Sequence, residues 1–385
     1  MLPPRPIRRL VLVPLVTVIA AGLVALTPLV ALLSATLKLV RRRTRPGDAS
    51  RSRALRVACL ALAWSAGEIA ALTVLLCLWI ASGLGGRLGT ESYQARHYMV
   101  MRSFLNLIYR VAQRACGLRV RVAGPAGAPG PGDRPVIVLS RHAGPGDSLL
   151  LIHHLLSACG RRPRVVMKAT LQLDPITDVV ANRVPNAFLR HPARTGTSGT
   201  AGQRSTAGLS GTAGQSSSAG FTGTVGFSGT VGQIRRLAAG LDPSGALVIF
   251  PEGGNWTPRR WRRAIDRLRQ QGHEELAGRA AAMPNVLPPR PAGTLAALAA
   301  CPDADVIFVA HTGLDRLAGV RDVWRSLLAD MEVRARWWQV PSANVPRGDR
   351  EAQVAWLYDW WERIDGWITA QNAGHLPVPS ALGEE

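Results

Sequence analysis

Lysine is nearly missing from this chain: only Lys38 and Lys168 occur, so 44 of its 46 basic residues are arginines. Codon bias produces such a ratio without chemical need, so the charge is informative and the residue choice is not. Cysteine is sparse as well. Its five copies (Cys59, Cys77, Cys116, Cys159 and Cys301) stand far apart and form no CxxC pair. Metal-site spacing is therefore absent, and a disulfide framework is not expected in a chain of 385 residues. A reducing compartment is the simplest setting. Acidic residues are the third shortage, 25 against 46 basic ones, leaving a net charge of +21. So large a surplus favours an anionic partner: nucleic acid, an acidic membrane surface or a phosphorylated substrate.

Charge is also scarce where the chain is most apolar, and this decides among those partners. After Arg8 and Arg9, the run Leu10 to Val40 holds only Lys38 as a charge. It exceeds the about 20 residues that cross a bilayer core and the roughly 7–15-residue apolar region of a cleavable signal peptide. A second run, Val57 to Leu84, is broken only by Glu68 beside Gly67. A carboxylate in mid-segment is costly in lipid, so this segment is expected to return or lie in the interface. Between the runs, "RRRTRPGDASRSRALR" carries seven arginines and one aspartate. The positive-inside rule places this loop, Arg41 to Arg56, in the cytoplasm. Residues 1–84 are thus expected to be a membrane anchor. Anionic membrane lipids, rather than nucleic acid, become the expected partner.

Downstream, strands alternate with helices, which predicts an α/β domain over residues 85–385. An apolar face at helical spacing (Met101, Phe104, Leu105, Ile108, Val111) predicts a helix within Glu91 to Cys116. "LRVRV" (Leu118 to Val122), "VIVLS" (Val136 to Ser140), "RVVMK" (Arg164 to Lys168) and "ALVIF" (Ala246 to Phe250) read as strands, with "ADVIFVAHTG" as another. Leu149 to Leu156 and "IRRLAAGL" read as helices, and Arg259 to about Ala282 as one basic helix. "EAQVAWLYDWWERIDGWITA" is a C-terminal helix whose tryptophans suit packing and interface anchoring. Thr195 to Gln233 differs in kind: "TGTSGTAGQ", "GLSGTAGQ", "GFTGTVG" and "GFSGTVGQ" are imperfect copies of a Gly/Thr/Ser unit. They hold too few large apolar residues to offset their ordering entropy, so a disordered insertion is expected over 195–233.

Two strand ends carry polar groups. "VIVLSRHAGPGD" runs from a strand through His142 into a Gly/Pro turn and Asp147. Taken alone, Asp147 could simply be an N-cap and His142 a surface residue. Ligands, however, bind at the carboxyl ends of strands in α/β domains. A tight turn also lets Asp147 reach one ring nitrogen of His142 and leave the other as a base. "FPEGGNW" similarly places Glu252 and Gly253 after a buried strand. His153 and His154 are adjacent in an apolar helix and read as structural. His311 and Asp315, after another strand, could line the same crevice or play no part in it.

Together these blocks resemble the glycerolipid acyltransferases, including the 1-acyl-glycerol-3-phosphate acyltransferases. "SRHAGPGD" matches the family's His-x4-Asp block and "FPEGGNWT" its Phe-Pro-Glu-Gly block, while "NAFLRH" and "VLPPRPAG" resemble its two arginine-bearing blocks. His142 and Glu252 are 110 positions apart, and without the 39-residue tract the spacing is 71, typical of the family. The resemblance covers roughly Glu91 to Gly313. It implies a mixed sheet flanked by helices, preceded by the helical membrane anchor. His142 would be the general base on a lysophospholipid hydroxyl, with Asp147 orienting it. The acyl donor would be a thioester, acyl-CoA or acyl carrier protein, with neither metal nor cofactor. Backbone amides near the turn would stabilise the oxyanion. Glu252, Gly253, Arg190 and Arg290 would hold the acceptor headgroup, most simply that of 1-acyl-glycerol-3-phosphate. The donor requires a catalytic domain facing the cytoplasm at the cell membrane. Three positions depart from the family: Arg141 precedes the histidine where many members carry Asn, Gly254 and Asn255 stand in place of Thr-Arg, and "FLRH" shifts its arginine by one. These departures bear on the acceptor. Another lysolipid or glycolipid acceptor, or an inactive polybasic lipid-binding protein, are the alternatives.

Overall fold

The computed structural model describes residues 3–26, 49–124, 132–189, 225–314 and 331–373. Its centre is a seven-stranded mixed sheet in the order β1-β7-β6-β2-β5-β3-β4. The strands are β1 (Arg119–Ala123), β2 (Val136–Ser140), β3 (Arg162–Lys168), β4 (Ala187–Leu189), β5 (Gly245–Ile249), β6 (Asp305–Thr312) and β7 (Glu332–Val340). β6, β2, β5, β3 and β4 are mutually parallel, whereas β7 runs antiparallel to β6 and carries β1 parallel to itself. β2 and β5 sit at the middle because every residue in each is buried. Such unbroken apolar runs suit strands covered on both faces.

The twofold alternation of β2 divides its side chains between two cores. Ile137 and Leu139 join Leu247, Phe308 and Trp361 on one face. Val136 and Val138 join Val248, Ile307, Leu155 and Trp337 on the other. On the first face lie α6 (Val225–Ala239), α9 (Pro291–Ala300) and the long C-terminal α10 (Arg350–Ala373). The expected tryptophan packing is found in α10: Trp361 is fully buried, and Trp360 stacks on Phe308 at 4.4 Å and 8°. The second face is covered by α4 (Pro145–Ser157), whose Leu151, Ile152 and Leu155 face it.

The N-terminal helices are joined to this domain. α1 (Arg8–Leu26) and the span Arg56–Ala81 within α2 (Ala49–Ala81) are long and apolar enough to cross a membrane. α2 packs on α3 (Glu91–Cys116), and Ala71, Leu75, Phe104, Leu156 and Ile176 form one apolar cluster with α5 (Pro175–Ala181). Gly67 permits the close α2–α3 approach, since a Cβ there would lie 3.1 Å from the Phe104 ring. A buried Arg8–Asp178 ion pair at 2.8 Å ties α1 to α5. Glu68 is buried beside α5 rather than exposed.

Several boundaries differ from the sequence-based expectation. The single basic helix is two, α7 (Pro258–Gln270) and α8 (Glu274–Ala281), because Gly272 turns the chain at φ +76°. α6 begins at Val225, inside the tract expected to lack structure; the rest of that tract lies outside the described residues. α5, β4, α9 and β7 were not anticipated by periodicity.

Candidate active site

β2 delivers His142 and β5 delivers Glu252 to the same sheet end, because the two strands are neighbours in register, Leu139 opposite Ile249. Beyond β2, the chain turns through Ala143 and Gly144 into α4. Asp147 is the third residue of that helix, not its N-cap. Its Oδ2 accepts from the Gly144 amide at 3.1 Å and the Ala143 amide at 2.7 Å. This is the returning half of a capping box, and it sets a negative charge at a helix N-terminus.

The same carboxylate meets the His142 ring. Nδ1 lies 3.0 Å from Oδ2 and 3.2 Å from Oδ1. A carboxylate can only accept, so Nδ1 carries the proton and Nε2 is left with its lone pair. Burial would raise the pKa of Asp147, which is only 3% exposed, but the His142 hydrogen bond, the nearby His311 and the Gly144 amide outweigh it. The carboxyl is therefore held below its ordinary value. Phe250 flanks the half-buried His142 ring at 4.5 Å between centroids.

The turn amides and Glu252 both find partners within the protein. The amides of Ala143 and Gly144 donate to Asp147. Glu252 is 1% exposed, with Oε1 accepting from the His142 amide at 3.2 Å and Oε2 from the Leu287 amide at 3.3 Å. Burial pushes its carboxyl up to about 8, against the pull of Arg141 and both amides. Glu252 fastens three loops together.

Gly253 and Gly254 form the floor beside this clasp. Gly253 has φ +68°, and a Cβ there would come within 3.1 Å of the Arg290 guanidinium. A Cβ on Gly254 would come within 3.0 Å of Arg260 Nη1, which donates to Asn255 O at 3.1 Å. The loop bearing Arg290 is held by its amide, which donates to Pro251 O at 2.9 Å. Arg290 keeps an exposed edge. Even so, crowding by protein lowers its pKa most, and the like charges of Arg267 and Arg260 add to the effect. Two guanidiniums, of Arg290 and Arg260, thus lie against two bare glycines, a ready place for an anion. Arg260 belongs to this cluster although it is eight residues beyond Glu252; the Thr257 N-cap, accepting from Arg260 N at 3.2 Å, starts the helix that aims it. Arg190 and Asp315 lie outside the described residues. β4, which leads to Arg190, is three strands from β2, roughly 14 Å at ordinary strand spacing.

Of the other histidines, His153 bonds Asn106 at 2.8 Å and stacks on Tyr109, a packing arrangement away from the pair. His311 is different, because its Nε2 lies 3.6 Å from Asp147 Oδ2. Register could have indicated this: β6 pairs with β2 in parallel, so the ends of both strands share one edge. Among the described residues, no three His, Cys, Asp or Glu side chains are grouped as a metal ion would need.

No protein-family model matches the chain, and no curated protein matches it. Among solved structures, it is similar to the 1-acyl-sn-glycerophosphate (LPA) acyltransferase PlsC from Thermotoga maritima. The two share 12% identity at a TM-score of 0.40, over 79% of this chain and 98% of that chain. At this degree of likeness, any functional reading rests on the geometry of the site.

Proposed function

We propose that the chain is an acyltransferase that moves an acyl group from a thioester to the hydroxyl of a lysophospholipid. One observation carries the reading: the His142–Asp147 pair at the carboxyl end of a central strand, with Nδ1 protonated and Nε2 basic. In this reading Nε2 takes the proton of the acceptor hydroxyl as its oxygen attacks the thioester carbon. Asp147 stabilises the imidazolium so formed. The tetrahedral adduct then expels the thiolate, which recovers the proton from the ring. A C–O bond forms and a C–S bond breaks, with no net proton change and no covalent enzyme intermediate. The donor is acyl-CoA or an acylated carrier protein.

The arginines beside Gly253 and Gly254 support a phosphorylated acceptor, with 1-acyl-glycerol-3-phosphate as the simplest candidate and phosphatidic acid as its product. Guanidiniums make strong, bidentate bonds to phosphate. Arg290 and Arg260 take this role, with the Gly253 and Gly254 backbone able to approach the headgroup closely. The two apolar helices would hold the site at a membrane surface, its catalytic side in the cytoplasm, where both donors occur. The full-length protein, purified in detergent, should transfer a labelled acyl chain from acyl-CoA to lysophosphatidic acid in preference to neutral or zwitterionic lysolipids. Retention on anionic vesicles without transfer to any acceptor or from either donor would refute an enzymatic role.

A further inference from the structure

We propose that His311 is a positioning residue for the His142–Asp147 pair, locking the peptide that carries His142 and bracing Asp147. The proposal rests on His142 being the base. β6 lies beside β2, with Ser140 opposite Val309, and the Arg141 amide continues that ladder to Val309 O at 3.1 Å. His311 is therefore delivered to the edge where β2 ends. Its ring is buried, and Nε2 faces two acceptors, Arg141 O at 3.2 Å and Asp147 Oδ2 at 3.6 Å. Neither acceptor can donate, so Nε2 bears hydrogen. The shorter contact is a hydrogen bond; the longer one is electrostatic.

Arg141 O and His142 N belong to one peptide group. Its oxygen accepts from His311 Nε2 and, at 3.0 Å, from Ser140 Oγ, while its N–H donates to Glu252 Oε1. A peptide gripped at both ends fixes the direction in which the His142 side chain leaves the backbone. Arg141 reciprocates, its buried guanidinium donating to His311 O at 2.8 Å and to Asn285 O at 2.9 Å. The same imidazole thus steadies both members of the pair without reaching the substrate. Misplacing a reacting group by even about 1 Å can cost about 10²-fold in rate.

The test compares His311→Phe, which keeps volume but no donor, with His311→Gln, whose amide can donate to the same oxygen. Full-length variants in detergent would be assayed for kcat and KM with acyl-CoA and lysophosphatidic acid, after melting curves confirm folding. The imidazole Nδ1 proton of His142 would be followed by NMR. His311→Phe should lower kcat about tenfold or more and displace or broaden that resonance, with both KM values nearly unchanged. His311→Gln should recover most of kcat. Equal activity in both variants, or a change in KM alone, would overturn the proposal. Should His311→Phe fail to fold, His311→Gln against His311→Leu carries the same comparison. A wild-type protein with no transferase activity would defeat the functional reading instead. An unmoved proton resonance in folded His311→Phe would defeat the positioning role by itself.

Discussion

The backbone amide of His142 donates to Oε1 of Glu252 across 3.2 Å, joining segments 110 residues apart in the chain. The second oxygen of the same carboxyl accepts from Leu287. The Phe-Pro-Glu-Gly block therefore acts on the histidine through its main chain. Its glutamate is best understood as the fastening that lets a loop after β5 and a loop before α9 meet the end of β2.

This clasp gives a pH signature. The buried Glu252 carboxyl is raised from 4.5 to about 8, so the folded chain keeps a proton that the unfolded chain loses. Its contribution to stability is full below pH 4.5 and is lost as pH rises through about 8. Glu252→Gln should flatten that decline, visible as a smaller drop in melting temperature between pH 5 and pH 8. The variant should also be less stable at low pH by about 1–3 kcal/mol, because a Gln amide nitrogen cannot accept from a backbone N–H. An unchanged pH slope would mean that Glu252 is ionised in the fold.

His142→Ala and Asp147→Ala separate chemistry from architecture. His142→Ala should lower kcat by about 10²–10⁴-fold and leave the melting temperature close to wild type. Asp147 also satisfies Ala143, Gly144 and Ser148, so its removal reaches beyond catalysis. Asp147→Ala should therefore lose activity and about 1–3 kcal/mol of stability together. Urea unfolding beside a transfer assay distinguishes the two outcomes.

Much of this was legible in the sequence, and the remainder failed for identifiable reasons. β2 and β5 stood out because buried parallel strands are unbroken apolar runs, and the His142–Asp147 spacing already implied a turn. β7 was missed because Arg334 and Arg336 interrupt a strand whose buried residues, Val333, Trp337 and Val340, are spread over three separate cores. The split between α7 and α8 was hidden because charge continued across Gly272. The roles of Glu252 and His311 could not be read from the chain, since both depend on which loops meet across the sheet edge. The sequence could not choose between Arg260 as a phosphate ligand and as part of a solvated face for a similar reason: an arginine on a basic helix looks solvated until the preceding N-cap sets its direction.

The repeat tract gives a prediction about length. Removing residues 196–224 and joining the ends should leave melting temperature and activity near wild type, because closure entropy changes slowly with loop length. Extending the deletion to Gly232 would remove the first half of α6, whose Ile234 packs against Gly293 of α9. That longer deletion should destabilise the domain measurably. Equal melting curves for the two deletions would show that the start of α6 contributes nothing.

The arginine cluster carries the last prediction, and it distinguishes headgroup binding from general charge. Exposed Arg259, Arg262, Arg263 and Arg269 share α7 with Arg260, while Trp261, Ile265 and Leu268 pin its other side to α8. Only Arg260 and Arg290 approach the Gly253–Gly254 floor closely. Arg290→Ala and Arg260→Ala should each raise KM for lysophosphatidic acid by about tenfold, equivalent to about 1.4 kcal/mol of binding. Arg262→Ala and Arg263→Ala should hardly change it, although all four remove one positive charge. Arg290→Lys should recover only part of the loss, because an ammonium cannot copy a bidentate fork. Gly253→Ala should resemble Arg290→Ala for another reason: its φ of +68° is strained for alanine, and its Cβ would push the guanidinium aside. The KM for acyl-CoA should stay constant across the series. If the four arginine-to-alanine substitutions shift the acceptor constant equally, the arginines act through net charge at the membrane and the headgroup site lies elsewhere.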